Sequence, residues 1–298
     1  MAGRAVAALA ELEADAALFG APHGTPYPGI DNRVHAASAA ALRAAMAGDS
    51  AWLDHWDFDL EGSVFAGTKF RLADLGDLAT ISEDGPGNRA KIEAVTRGIL
   101  LRHAVPIMIG GDDSVPIPFL AGFAEHGPIT IVQVDAHIDW RQEREGERFG
   151  YSSTMRRASE MAHVERIIQV GIRGLGSARA GEVEDARAWG ALIVPARTIH
   201  ERGVSAALEL VPNGAAVVLT VDCDALDSGI MPAVMAPTLG GVAYPQMLDL
   251  IAGLNAKARL VGMDLIEFVP ERDPFGAYAY TAARLIWHAV GHLARRAR

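Results

Sequence analysis

The sequence predicts a single α/β domain of three layers, helices on both sides of a mainly parallel sheet. Three observations point there. Apolar runs of strand length recur along the chain, segments of helical period separate them, and the runs are mainly apolar rather than alternating regularly with polar residues. A strand covered on both faces needs apolar side chains on both, and such strands belong to parallel sheets sandwiched between helices.

In chain order the strand candidates are Ala16 to Phe19, Val105 to Ile109, Ile129 to Val134, Ile167 to Val170, Ala191 to Val194, Ala216 to Val221 and Ala258 to Met263. Between them, Ile92, Val95 and Ile99 fall on one helical face, and so do Met247, Ile251 and Leu254. Residues 20 to 90 are the least regular stretch, with Ala21-Pro22-His23-Gly24-Thr25-Pro26 and Glu83-Asp84-Gly85-Pro86-Gly87 as its Gly/Pro clusters. Long irregular segments of this kind are commonly functional loops. No linker breaks the alternation after residue 80, so residues 1–298 read as one domain, with entrance loops within 1–90.

Composition excludes several function classes. Half the 298 residues are hydrophobic, yet no apolar run is long enough to span a bilayer, so no membrane partner is expected. The net charge of -10 argues against nucleic acid, and the one basic cluster is the short tail Arg295-Arg296-Ala297-Arg298. Met1 to Glu11 lacks the ordered regions of a signal peptide, and the single cysteine, Cys223, fits a reducing compartment. A cytoplasmic location is the expectation.

Chemistry concentrates just after the strands. Asp135-Ala136-His137-Ile138-Asp139 follows one apolar run and Asp222-Cys223-Asp224 another. If these segments continue extended, the period of two turns Asp135, His137 and Asp139 one way, and Asp222 and Asp224 likewise. Carboxylates gathered without counter-charges repel one another, and a bound cation relieves that repulsion. Gly110-Gly111-Asp112-Asp113-Ser114 and Asp264-Leu265-Ile266-Glu267 also follow strands, so four strand ends meet at the carboxyl edge where open parallel sheets bind ligands. Oxygen-rich ligation with one imidazole suits Mn²⁺ or Mg²⁺ better than structural zinc. More carboxylates than one octahedral ion needs suggests two ions. Cys223, between two ligands, is expected to pack into the sheet rather than act as a nucleophile.

These motifs resemble those of the ureohydrolase superfamily, the arginases, agmatinases and other guanidine hydrolases. Asp135 to Asp139 matches the superfamily's Asp-Ala-His-x-Asp, Asp222 to Asp227 resembles Asp-x-Asp-x-x-Asp, and Gly262-Met263-Asp264-Leu265-Ile266-Glu267 resembles Gly-x-Asp-x-x-Glu. Met231-Pro232-Ala233-Val234 and Ser153-Thr154-Met155-Arg156-Arg157-Ala158 are closer to the agmatinase branch. The resemblance implies an arginase-like fold and two Mn²⁺ ions, with Ni²⁺ or another divalent ion as alternatives. Asp113, Asp135, Asp139 and Asp222 would hold one ion; Asp135, His137, Asp222 and Asp224 would hold the other. It implies a small cationic guanidino substrate, agmatine being the first to try, bound by Glu267 and attacked by hydroxide oriented by Asp139 to give urea and an amine. It also implies a homo-oligomer, a trimer or hexamer.

Two positions depart from the pattern. Asp113 stands where relatives place a histidine, leaving the site at about -5 against +4 from two divalent ions. Tyr151 stands where a proton-shuttling histidine is usual, and a phenol with an ordinary pKa near 10 is a poorer shuttle. His23 and His163 are the candidate substitutes, and Trp140 is a candidate pocket wall. Arg156 and Arg157 could meet a substrate carboxylate, although structural roles are commoner for such a pair. Two other functions stay open: a catalytically silent subunit of a ureohydrolase complex, and a metal-dependent amide or formimino hydrolase.

Overall fold

The computed structural model describes residues 9, 11–176 and 178–296. Met1 to Ala8 and Ala10, and Ala297 and Arg298 of the basic tail, lie outside them. Eight strands form one sheet: β1 (Ala16–Gly20), β2 (Leu72–Asp77), β3 (Val105–Ile109), β4 (Ile129–Val134), β5 (Val164–Ile172), β6 (Leu192–Pro195), β7 (Ala216–Asp222) and β8 (Arg259–Ile266). Their order is β2-β1-β3-β8-β7-β4-β5-β6, and every neighbouring pair is parallel.

Period-two alternation divides the strand side chains between two cores. Leu18, Ile107, Val132, Leu219 and Met263 face one side, against helices Ser38–Gly48, Tyr244–Lys257 and Ala277–Arg296. Phe19, Met108, Ile131 and Val218 face the other, against helices Gly85–Leu100 and Pro116–Ala121. Burying each such apolar side chain contributes about 1.5–3 kcal/mol, which is why the runs are mainly apolar. Local signals set the helix limits. Gly85–Leu100 begins where the Asp84 side chain accepts a hydrogen bond from the Gly87 amide at 2.9 Å, with Pro86 in the first turn.

The seven expected strands are all present. The eighth, β2, went unrecognised because it is an edge strand pairing only with β1, so its half-exposed face carries Asp74 and Asp77. Within residues 20 to 90 the structure also has the alanine-rich helix Ser38–Gly48, which buries Ser38, Ala39, Leu42 and Met46. In sequence β4 follows β3, but β8 and β7 lie between them in the sheet. That reversal opens a crevice at the carboxyl ends of β3, β8, β7 and β4.

Candidate metal centre

The four central strands each deliver acids to this crevice. After β3 the chain turns through Gly110 and Gly111, at φ +82° and +80°. A Cβ on Gly110 would lie 2.7 Å from the Ala39 nitrogen, and one on Gly111 would lie 2.5 Å from the Ala21 carbonyl oxygen, so only glycine fits. Asp112 is used in building this turn, accepting from the Ser114 amide at 3.1 Å and from Asn32 Nδ2 at 3.1 Å. Asp113 faces the site, and its Oδ2 is buried without a hydrogen-bond partner among the described residues.

Asp113, Asp135 and Asp222 offer ligand atoms that all lie within 4.8 Å of one another, and so do Asp135, His137 and Asp224. The two groups share Asp135. His137 Nδ1 lies 3.1 Å from Asp224 and 3.4 Å from Asp135. Asp139 belongs to neither group, but it stands close enough to Asp113 for its charge to raise the Asp113 pKa. The expectation of a continued extended chain fails for this motif. Strand β4 ends at Val134, and Asp139 sits in the left-handed region at φ +46°. The ligands converge because the loop bends. Glu267, at φ +63°, is also left-handed, and backbone strain of this kind concentrates at functional sites.

Burial raises Asp113 and Asp222 well above the usual carboxylate range, and neighbouring acids raise them further. Asp139 is likewise raised by burial and by Asp135. His137 is opposed by burial, yet its bonds to Asp135 and Asp224 push it up to about 12. Without cations, then, these groups need protons to coexist. The orphaned Asp113 oxygen, the crowded acids and the mainly oxygen donor set all fit divalent metal.

Several positioning residues escaped the sequence reading. Ile138 O accepts from Gln169 Nε2 at 2.8 Å, which orients that amide to donate also to Gln133 Oε1 at 2.6 Å. Gln133 Nε2 is thereby turned toward Asp135 and Asp139, donating to each at 2.7 Å. Its one sequence signal is a polar residue inside an apolar run. His35, which no local pattern distinguishes, lies 3.3 Å from Glu267 Oε2, and the Asp113 amide donates to Glu267 Oε1 at 2.8 Å. Arg173 donates to the carbonyls of Asp224 at 2.6 Å and Thr238 at 2.8 Å, fixing the turn that carries Asp224.

Asp113, His137, Asp139, Asp222, Asp224 and Glu267 line one cavity of about 360 Å³, and Trp140 and Tyr151 form part of its wall. Tyr151 meets Tyr27 edge-on at 5.0 Å, and burial raises its hydroxyl pKa. His23 bonds to Thr80 and His163 to Leu120 O, and neither lines the cavity. Arg157 is tied to Gln142 and Glu160, and Arg156 to Glu160, also outside it. Cys223 is buried, and burial keeps its thiol protonated, as packing requires. Among the described residues, no helix is long and apolar enough to cross a membrane.

The chain is similar to known proteins. The N(1)-aminopropylagmatine ureohydrolase of Thermus thermophilus is 34% identical over 186 residues, covering 62% of this chain and 61% of that protein's length. The guanidinobutyrase of Pseudomonas aeruginosa is 29% identical over 225 residues, covering 74% of this chain and 70% of its own. Among solved structures, the proclavaminate amidino hydrolase of Streptomyces clavuligerus superposes with a TM-score of 0.81 at 25% identity, covering 95% of this chain and 92% of that one. The sequence pattern of the Arginase family matches residues 14–291. The chain belongs to the Arginase family.

Proposed function

We propose that this protein hydrolyses a guanidino compound to urea and an amine, using two divalent cations, Mn²⁺ foremost. Asp113, Asp135, Asp139 and Asp222 would hold one cation and Asp135, His137, Asp222 and Asp224 the other. The observation that carries this reading is the pair of ligand groups joined at Asp135, in a cavity that Glu267 also lines. When bound, such a cation pair lowers the pKa of water enough to supply a nucleophile at neutral pH.

The chain's own residues do the rest. Glu267, held by the Asp113 amide and His35, presents carboxylate oxygen to the planar N–H groups of a guanidinium. Asp139, anchored by Gln133, orients the attacking water and takes its proton. Tyr151, kept protonated by burial, is the donor assigned to the departing amine. The test is urea release by purified protein across a panel of guanidines. Urea is expected after loading with Mn²⁺, lost after chelation and restored by added Mn²⁺; no urea from any guanidine refutes the reading.

A further inference from the structure

The cavity combines in its lining a deeply buried acid cluster with two less buried arginines. Its floor is the buried acid cluster, which draws in a guanidinium. Its mouth is built partly from the loop that follows the metal motif, and two arginines of that loop, Arg141 and Arg144, line it. Their side chains are 24% and 34% exposed, against 1% for Asp135 and 5% for Asp224, which places them nearer solvent than the ligands.

The acids at the mouth are already engaged. Asp31 accepts from Arg33 Nε at 2.9 Å and from its terminal nitrogen at 2.7 Å. Glu182 accepts from the Arg179 backbone at 2.8 Å and from its side chain at 2.9 Å. The two wall arginines are engaged far less. Arg141 Nε is buried with no hydrogen-bond partner among the described residues, and its nearest acid is Glu182 at 3.7 Å. Arg144 lies over the Tyr27 ring at 5.5 Å, and its nearest acid, the mostly exposed Glu145, is 3.9 Å away. A buried donor without an acceptor carries a desolvation cost that a carboxylate in the cavity would remove.

Resting on the hydrolase reading above, we propose that Arg141 and Arg144 bind the tail of the substrate, and that this tail is a carboxylate. The preferred substrates are then ω-guanidino acids, bound cation inward and anion outward. Agmatine, which the sequence placed first, would instead bring an ammonium toward two guanidiniums. A forked guanidinium matches a carboxylate in two parallel hydrogen bonds, which gives direction as well as affinity.

The experiment compares kcat/KM of the Mn²⁺-loaded protein for 4-guanidinobutyrate, 3-guanidinopropionate, agmatine and uncharged butylguanidine. The better acid should exceed both agmatine and butylguanidine by about tenfold or more. In Arg144→Glu the acid-to-agmatine ratio should shift about 100-fold toward agmatine, and in Arg141→Gln it should fall about fivefold or more. Because each ratio is taken within one preparation, partial loss of folded protein cancels. Agmatine or butylguanidine equalling the acids in the wild type overturns the proposal while leaving the hydrolase reading intact, and so does a ratio unmoved in Arg144→Glu. Urea from none of the four overturns both.

Discussion

Replacing Gln133 with leucine keeps nearly the same volume in the sheet and removes the donor that aligns two candidate ligands. In the structure Gln133 Nε2 spends both its hydrogens on Asp135 Oδ2 and Asp139 Oδ2, each at 2.7 Å, and Gln133 Oε1 receives Gln169. Hydrogen bonds to a charged partner contribute about 1.5–3 kcal/mol each. The freed carboxylates remain available to a cation, so the loss is of alignment rather than of ligands and should amount to about one such bond. That corresponds to a 10–100-fold weaker affinity, the usual effect of removing a group that orients a metal ligand. Because Asp135 belongs to both ligand groups, both steps of Mn²⁺ binding should weaken. Competition against a chelating indicator, with wild type and Gln133→Leu in parallel, measures this. Affinities within about twofold of each other would refute the claim that Gln133 positions the site.

Two further outcomes follow from burial. Asp264 is fully buried, its Oδ2 lacks a partner among the described residues, and burial pushes it up to about 8 from 3.8. The unfolded chain loses this proton near pH 4 and the folded chain keeps it until about pH 8, so Asp264 destabilises the fold progressively as pH rises through that window. At about 1.4 kcal/mol per pH unit, the stability of Asp264→Asn relative to wild type should rise by about 3 kcal/mol between pH 5 and 7.5 in urea unfolding, and a flat difference would remove the assignment. Tyr151→Phe should lower kcat about tenfold or more if its hydroxyl protonates the departing amine, with Mn²⁺ content unchanged; unaltered kcat takes Tyr151 out of the chemistry.

The central strands were legible because burial on both faces favours apolar residues, leaving Ile129 to Val134 and Ala216 to Val221 as mainly apolar runs broken only by Thr130, Gln133 and Thr220. Strand β2 was not, since half of an edge strand faces solvent and Leu72–Asp77 carries charge there. Asp135 and Asp222 could be placed from sequence because each immediately follows, or ends, such a run. The bend that brings in Asp139 could not: it depends on a left-handed residue that no glycine marks. His35 meets Glu267 only because the irregular segment 20–90 folds back over the end of β8, and a lone histidine carries no local sign of that. Arg141 and Arg144 were visible as residues, but their lack of close acidic partners is a property of the folded cavity alone.

The central claim is that this acid cluster holds two cations, and the direct test is to count and locate them. Protein incubated with Mn²⁺ and freed of excess should carry two ions per chain by elemental analysis. Anomalous diffraction at the manganese edge should place both between β3, β8, β7 and β4, with Asp135 touching each. Fewer than one ion per chain, or a single peak away from Asp135, would contradict it.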